Sequence, residues 1–217
     1  MNLLNANEIY ASYLKSVFIN PGVGWKNKKL GEVCHVIGGG TPSKGNHKFY
    51  SGNIFWATVR DMKQDIIKDT DRKITQDAVK NSSTNIVSKG NVVIATRVGL
   101  GKICIIENDT AINQDLKGII PKKKEEITTG YLFQWFKSIS NLIIEEGTGA
   151  TVQGVKLPFI NGLEIPIPSL AKQKNIVEKL DALCTQTKKL EDVYQQKLDN
   201  LEELKKAILQ TAFNGEL

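Results

Sequence analysis

From Gln173 to about Phe213, apolar residues recur alternately three and four positions apart. Leu180, Thr187, Tyr194, Leu201 and Ile208 share one heptad position, and Ile176, Leu183, Leu190, Lys197 and Leu204 the other. This is the spacing of a coiled-coil seam. Thr187 and Lys197 interrupt it, although Leu198 can turn towards the same face. At about 1.5 Å per residue, about 40 helical residues make a rod of about 60 Å, longer than a compact domain of the remaining chain is wide. Such a rod is expected to bury its seam against a partner, the alternative being an amphipathic helix lying on its own domain. Ser169 is a candidate N-cap, without a full capping box because position 172 is Lys.

Upstream the pattern differs. Residues Asn7 to Phe18 predict a short helix with Ile9, Tyr13, Leu14 and Val17 on one side, ended by Asn20-Pro21-Gly22. After Trp25 come short β-branched runs between turn residues, predicting strands over Leu30–Ile37, Ile54–Val59, Asn91–Thr96, Lys102–Glu107 and Leu116–Ile120. Between them Thr75 caps a helical turn over Gln76–Lys80. A helix over Thr129–Ile144 carries Leu132, Trp135, Phe136 and Ile139 at core spacing. Residues 147–151 read as a loop, and Ile165-Pro166-Ile167-Pro168 as a stiff extended tether. The expected architecture is an α/β head, mainly β, followed by a long C-terminal helix. The divisions are a short helical segment at 1–20, the head at 21–168 and the rod at 169–217.

Composition adds placement and charge. Charged and apolar fractions of 24% and 41% are those of a globular chain. No apolar run approaches a bilayer span and Met1 to Asn20 has no signal-peptide pattern, so a cytoplasmic location without a membrane is expected. Three scattered cysteines, Cys34, Cys104 and Cys184, suit reduced thiols. From Leu170 onward eight Lys face eight Asp or Glu, so the net charge of +6 belongs wholly to the head. A basic head suits an anionic partner such as nucleic acid, and equally an ordinary lysine-rich surface.

Catalytic motifs are missing. Gly38-Gly39-Gly40-Thr41-Pro42-Ser43-Lys44-Gly45 follows a predicted strand, but Lys44 lacks both the preceding Gly and the following Ser or Thr of a P-loop. Pro42 and Ser43 also spoil a dinucleotide fingerprint. Only His35 and His47 are present, neither near a cysteine pair or an HExxH pattern, so no zinc site or nucleophile–histidine pair stands out. No metal or cofactor is expected on this chain. What remains is a set of loops rich in hydrogen-bonding groups. Arginine grips guanine, Asn or Gln grips adenine, and lysine contacts mainly phosphate. The candidate DNA contacts are Lys44, Asn46, Arg60, Arg97, Lys102, Asn113, Gln114 and Thr151. Taken singly, Asn113-Gln114 reads equally as a satisfied polar turn and Arg97 as a surface ion pair.

An ordered series of short motifs spans nearly the whole chain. It runs through Gly24-Trp25, Leu30-Gly31-Glu32-Val33, Gly39-Gly40-Thr41-Pro42-Ser43, Ile54-Phe55-Trp56-Ala57-Thr58 and Arg60-Asp61-Met62. It continues with Ile74-Thr75, Asn81-Ser82-Ser83, Gly99-Leu100-Gly101, Ile112-Asn113-Gln114-Asp115 and Gly149-Ala150-Thr151. It closes on Ile165-Pro166-Ile167-Pro168, Gln173-Lys174-Asn175-Ile176-Val177 and Ala212-Phe213-Asn214-Gly215-Glu216-Leu217. This order resembles a target recognition domain of the specificity subunit of type I restriction-modification systems.

The resemblance implies a non-catalytic subunit that reads double-stranded DNA. S-adenosylmethionine, ATP and Mg would be bound by separate modification (methyltransferase) and restriction subunits. Members of the family normally hold two recognition domains and two long helices, whereas this sequence has one of each and looks like half a subunit. Two copies could rebuild the whole as a homodimer with an antiparallel coiled coil. The seam residues Ile176, Leu180, Leu183, Leu190, Tyr194, Leu201, Leu204 and Ile208 would form its interface. Two-fold symmetry then implies a palindromic bipartite target with the spacer set by the rod. A free-standing dimeric repressor and a coiled-coil interaction protein without a DNA target remain as alternatives.

Overall fold

The computed structural model describes residues 3–147 and 154–215. The chain opens with α1 (Leu3–Ile19), β1 (Lys26–Lys29), the single turn α2 (Leu30–Val33) and β2 (Cys34–Gly38). It continues through β3 (Ile54–Ala57), β4 (Ile66–Ile67), β5 (Lys73–Ile74), α3 (Gln76–Lys80), β6 (Asn85–Val87) and β7 (Val92–Ala95). Next come β8 (Ile103–Ile106), β9 (Thr110–Ile112), β10 (Leu116–Pro121), α4 (Thr129–Ser138) and α5 (Ser140–Gly147). It ends with α6 (Leu157–Gly162), β11 (Glu164–Ile167) and α7 (Leu170–Phe213). The strands form a five-stranded sheet in the order β2-β10-β7-β8-β4, a four-stranded sheet in the order β5-β3-β9-β6, and the pair β1-β11.

The main core lies where β7, β8 and β10 meet α4. Tyr131, Leu132, Trp135 and Phe136 are buried there with Val92, Ile94 and Ile119, so the aromatics are packing residues, as their spacing implies. The other face of the five-stranded sheet packs Val93, Ala95, Cys104 and Ile106 in a second cluster with Ala57 and Ile112 of the smaller sheet. Burial pushes the Cys34 and Cys104 thiols up to about 12, which keeps them protonated.

Several expectations need correction. The run Leu30–Ile37 is not one strand. Leu30 and Val33, three apart, both point inward on the turn of α2, and only then does β2 begin. The run Ile54–Val59 stops at Ala57, because Thr58 caps a 3-10 turn over Val59–Asp61. The helix expected over Thr129–Ile144 breaks at Ile139 into α4 and α5. The Ile165–Pro168 tether is a paired strand: β11 runs antiparallel to β1, with Ile165 opposite Lys28 and Ile167 opposite Lys26. Nor does the inner face of α1 include Ile9 and Tyr13, which are exposed; it is formed by Tyr10, Leu14, Val17 and Phe18. Phe18 lies 5.4 Å from the Tyr131 ring, so α1 shares the core of the head. Thr75 does cap α3, accepting from Ala78 N–H at 3.1 Å.

The rod is one unbroken helix of 44 residues, about 66 Å long, capped by Ser169. Its first turns belong to the head. Ile176 and Leu180 are buried in the main core, and Thr187 is buried with its hydroxyl turned back to the Leu183 carbonyl at 2.8 Å. Thr187 therefore hides its polar group within the helix. Gln173 is fully buried and joins three segments. Its amide nitrogen donates to the carbonyls of Glu126 (2.8 Å) and Pro168 (3.1 Å), and its Oε1 accepts from Thr128 N–H (2.9 Å). About two turns further along the rod, Gln134 of α4 bridges Tyr10 of α1 and Asp181 of α7. Replacing Gln173 by Leu leaves one N–H and two carbonyls without these partners. It is expected to lower the unfolding free energy by about 2 kcal/mol, read from the midpoint of a urea titration.

Candidate nucleic-acid interface

Sheet topology brings four separate loops to one place. β3 and β9 are parallel, with Ala57 beside Ile112, so Thr58 and Asn113 leave the smaller sheet side by side. Asn113 N–H still bonds the Ala57 carbonyl at 3.0 Å. In the larger sheet Lys117 of β10 pairs with Gly38 at the end of β2, and Leu116 pairs with Ala95 at the end of β7. The segments after Gly38, Ala57, Ala95 and Ile112 therefore emerge together.

Close backbone crossings lock these loops. A Cβ on Gly39 would meet the Asn113 carbonyl oxygen at 2.1 Å, and one on Gly40 would meet Ser83 Oγ at 2.3 Å. The glycine run thus serves chain crossing, in keeping with its failure as a phosphate loop. The Gly40 carbonyl accepts from Trp56 Nε1 at 3.2 Å and from the Thr84 hydroxyl at 2.8 Å. Thr58 and Asp61 form a reciprocal cap: Asp61 Oδ2 accepts from Thr58 N–H at 2.7 Å and from its hydroxyl at 2.9 Å. Asp61 Oδ1 accepts from Asp71 N–H at 2.8 Å.

The loops enclose an open groove of about 500 Å³, lined among others by Thr41, Lys44, Arg60, Arg72 and Gln114. Its three carboxylates already have partners. Asp61 is held as described; Asp115 accepts from Asn113 Nδ2 at 2.9 Å and lies 3.9 Å from Arg97 Nε; Asp71 lies 3.8 Å from Lys63. The exposed cationic ends of Lys44, Arg60 and Arg72 have no hydrogen bond or ion pair among the described residues. Gln114 accepts from the Thr41 hydroxyl, leaving its amide N–H groups as donors. Beside the groove, burial first and then the Arg97 cation lower the pKa of Lys117, while Asp115 opposes them.

Of the candidate contacts read from sequence, Lys44, Arg60, Asn113 and Gln114 line this groove, and Arg97 adjoins it through Asp115. Asn113 is there as a structural residue: it is buried, its amide spent on Asp115 and its Oδ1 on Asp115 N–H at 3.2 Å. Its side chain thus serves the polar turn, bonding Asp115 through both Nδ2 and Oδ1. Asn46 sits at the start of the His47–Tyr50 turn, away from the groove, and Lys102 lines a different depression with Lys137 and Cys104. Thr151 lies outside the described residues. Arg72 was missed because it stands in a turn-rich stretch apart from the other clusters, and no motif marks it. On the rod, Ile176 and Leu180 are taken up by the chain's own core, while Leu190, Leu201, Leu204 and Ile208 are 43–61% exposed. Leu183 and Tyr194 are half-buried, and Lys197 lies 5.7 Å from the Tyr194 ring.

Among the described residues no three His, Cys, Asp or Glu side chains gather as a metal site, and no helix is long and apolar enough to cross a membrane. The site is thus a donor-rich groove on interlocked loops, carried by a head whose long helix leaves an apolar stripe exposed. Residues 22–203 match the type I restriction modification DNA specificity domain, and the chain belongs to that family. It is 33% identical over 172 residues to the specificity subunit of the type I restriction enzyme EcoR124I/EcoR124II of Escherichia coli, covering 76% of this chain and 42% of that one. It is 31% identical over 179 residues to the MjaIX specificity subunit of Methanocaldococcus jannaschii, covering 79% and 41%. The chain thus spans about two-fifths of these relatives. The fold is shared with the HsdS subunit of Thermoanaerobacter tengcongensis (TM-score 0.74, 22% identity, 99% of this chain and 52% of that chain). It is also shared with a chain solved in work on assembly of the type I R-M system (TM-score 0.82, 23% identity, 99% and 53%).

The Gly39 crossing can be tested directly. Gly39→Ala forces a methyl group against the Ile112 and Asn113 carbonyls and is expected to cost about 1–3 kcal/mol of stability in chemical unfolding. Unchanged stability would show that the loops part more easily than their spacing implies.

Proposed function

We propose that this chain is the DNA-reading part of a type I specificity subunit, itself without catalytic activity and binding no S-adenosylmethionine, ATP or Mg. The observation that carries this reading is the groove, where Lys44, Arg60, Arg72 and Gln114 offer donors to a ligand while Asp61 and Asp115 are held by internal hydrogen bonds and Asp71 faces Lys63. Donors of this kind match guanine and adenine edges in the major groove and phosphates beside them. Methyl transfer to adenine and cleavage belong, on this reading, to the modification and restriction subunits it recruits. Such work takes place where the DNA is, in the cytoplasm.

The exposed half of the rod supports the assembly. Leu190, Leu201, Leu204 and Ile208, flanked by Val193, form an apolar stripe that a second copy running antiparallel would cover. Two heads then read inverted half-sites around an unspecified spacer. Replacing Leu201 by Glu is expected to shift the chain from dimer to monomer in sedimentation equilibrium without lowering the stability of the head. A chain that is monomeric at every concentration before mutation would overturn the homodimer.

Recognition is tested by co-expressing the chain with its methyltransferase subunit and mapping methylated adenines by single-molecule sequencing. A split palindromic motif is expected, and Arg60→Ala should relax one base in each half-site by about 1–3 kcal/mol. Equal loss on all sequences would assign Arg60 to phosphate alone. Tight binding of a palindrome without any methyltransferase would favour a repressor instead.

A further inference from the structure

The reading groove does not end at Arg72. Lys44, Asp71 and Arg72 also line a second depression of about 490 Å³, completed by His47, Tyr50 and Lys73. The sequence does not group these residues. They meet because the His47–Tyr50 turn packs beside β5, with Thr75 N–H donating to the Phe49 carbonyl at 2.9 Å.

The two depressions differ in chemistry. The first mixes donors with acceptors, including the Gln114 amide and the Thr41 and Thr58 hydroxyls. The second presents almost only donors. The Tyr50 hydroxyl is spent on the Pro42 carbonyl at 2.7 Å, and Asp71 lies 3.8 Å from Lys63. Lys44, His47 and Arg72 are exposed, and Lys73 is half-exposed. The Lys73 ammonium stands 4.6 Å from the centre of the Phe55 ring and 3.8 Å from Asp69 Oδ1. The Asp69 ion pair is exposed and too long for a hydrogen bond, so it leaves N–H groups that a phosphate can accept from, while the Phe55 ring holds the ammonium in place. Base edges display donors and acceptors in a pattern, whereas a phosphate displays charge and acceptors alone.

Resting on the DNA-reading assignment above, we propose that this second depression seats the phosphate backbone of duplex DNA. Lys73, Arg72 and His47 act with Lys44 to set the register of the duplex against the reading groove. The seat contributes affinity for any sequence; the groove contributes the choice among sequences.

The test uses the full chain and two probes, a random-sequence duplex pool and the duplex that the unmodified chain enriches from it. Binding is measured between about 50 and 200 mM salt. Lys73→Gln removes the charge and keeps a polar, flexible side chain one atom shorter than lysine. It is expected to weaken both probes by the same factor, roughly threefold to tenfold, and to make the salt dependence shallower by about one unit of slope. The enriched motif should stay the same, and Lys73→Arg should restore both affinity and slope. An unchanged slope in Lys73→Gln, an altered motif, or an equal loss in Lys73→Arg would overturn the phosphate seat. Those results leave the reading groove standing, because Arg60→Ala is scored separately by the motif it enriches. An unmodified chain that binds no duplex would overturn both.

Discussion

Gln173 is the constraint on which head and rod both depend. A buried primary amide must satisfy two donors and one acceptor or cost stability, and here each finds a main-chain partner, two in the segment before α4 and one at Pro168. Its Oε1 holds the cap residue of α4, and its amide nitrogen ties the carbonyls of Glu126 and Pro168 to the first turn of α7. The Gln134 bridge between Tyr10 and Asp181 repeats the arrangement farther along the rod. Because hydrogen bonds are directional, these glutamines fix the angle at which the rod leaves the head, which apolar packing alone would hold less strictly.

The groove is assembled from loops that follow β2, β3, β7 and β9, and its acids serve as internal fasteners: Asp61 for the Thr58 turn and the Asp71 backbone, Asp115 for Asn113. A carboxylate holding a cap does two things at once. It stiffens the loop, and it leaves the neighbouring Lys44, Arg60 and Arg72 without a counter-ion among the described residues. A rigid surface of unpaired donors is suited to an anionic ligand of fixed shape, since little side-chain or loop entropy remains to be lost beyond that of the exposed arms themselves.

The rod divides its seam between two tasks. Ile176 and Leu180 complete the core of the head, whereas the stripe from Leu190 to Ile208 is left exposed by the described residues. The polar interruption at Thr187 falls near this change and is absorbed by a bond to Leu183. One heptad register thus serves packing within the chain first and an unpartnered surface afterwards.

Much of the fold was legible from residue patterns. The long helix, its Ser169 cap, the core strands β7, β8 and β10 and the inward aromatics of α4 follow from periodicities set by local backbone geometry. The family too was legible, because it is written as an order of short motifs. Strands of two or three residues, such as β4, β5, β6 and β9, were not, since so short a run carries no periodicity and exists only because a neighbour supplies its hydrogen bonds. The same holds for β1 and β11, where Ile165–Ile167 looked like a free tether until its partner was seen. At the site, sequence supplied Lys44, Arg60 and Gln114 by residue type but could not separate them from Asn113, whose bonds are internal, nor join them to Arg72 and Lys73. Chemical capacity is a property of each side chain and can be read locally; which capacities remain free, and which stand together, is decided by parallel pairing of β3 with β9 and by the loops that this pairing forces into contact.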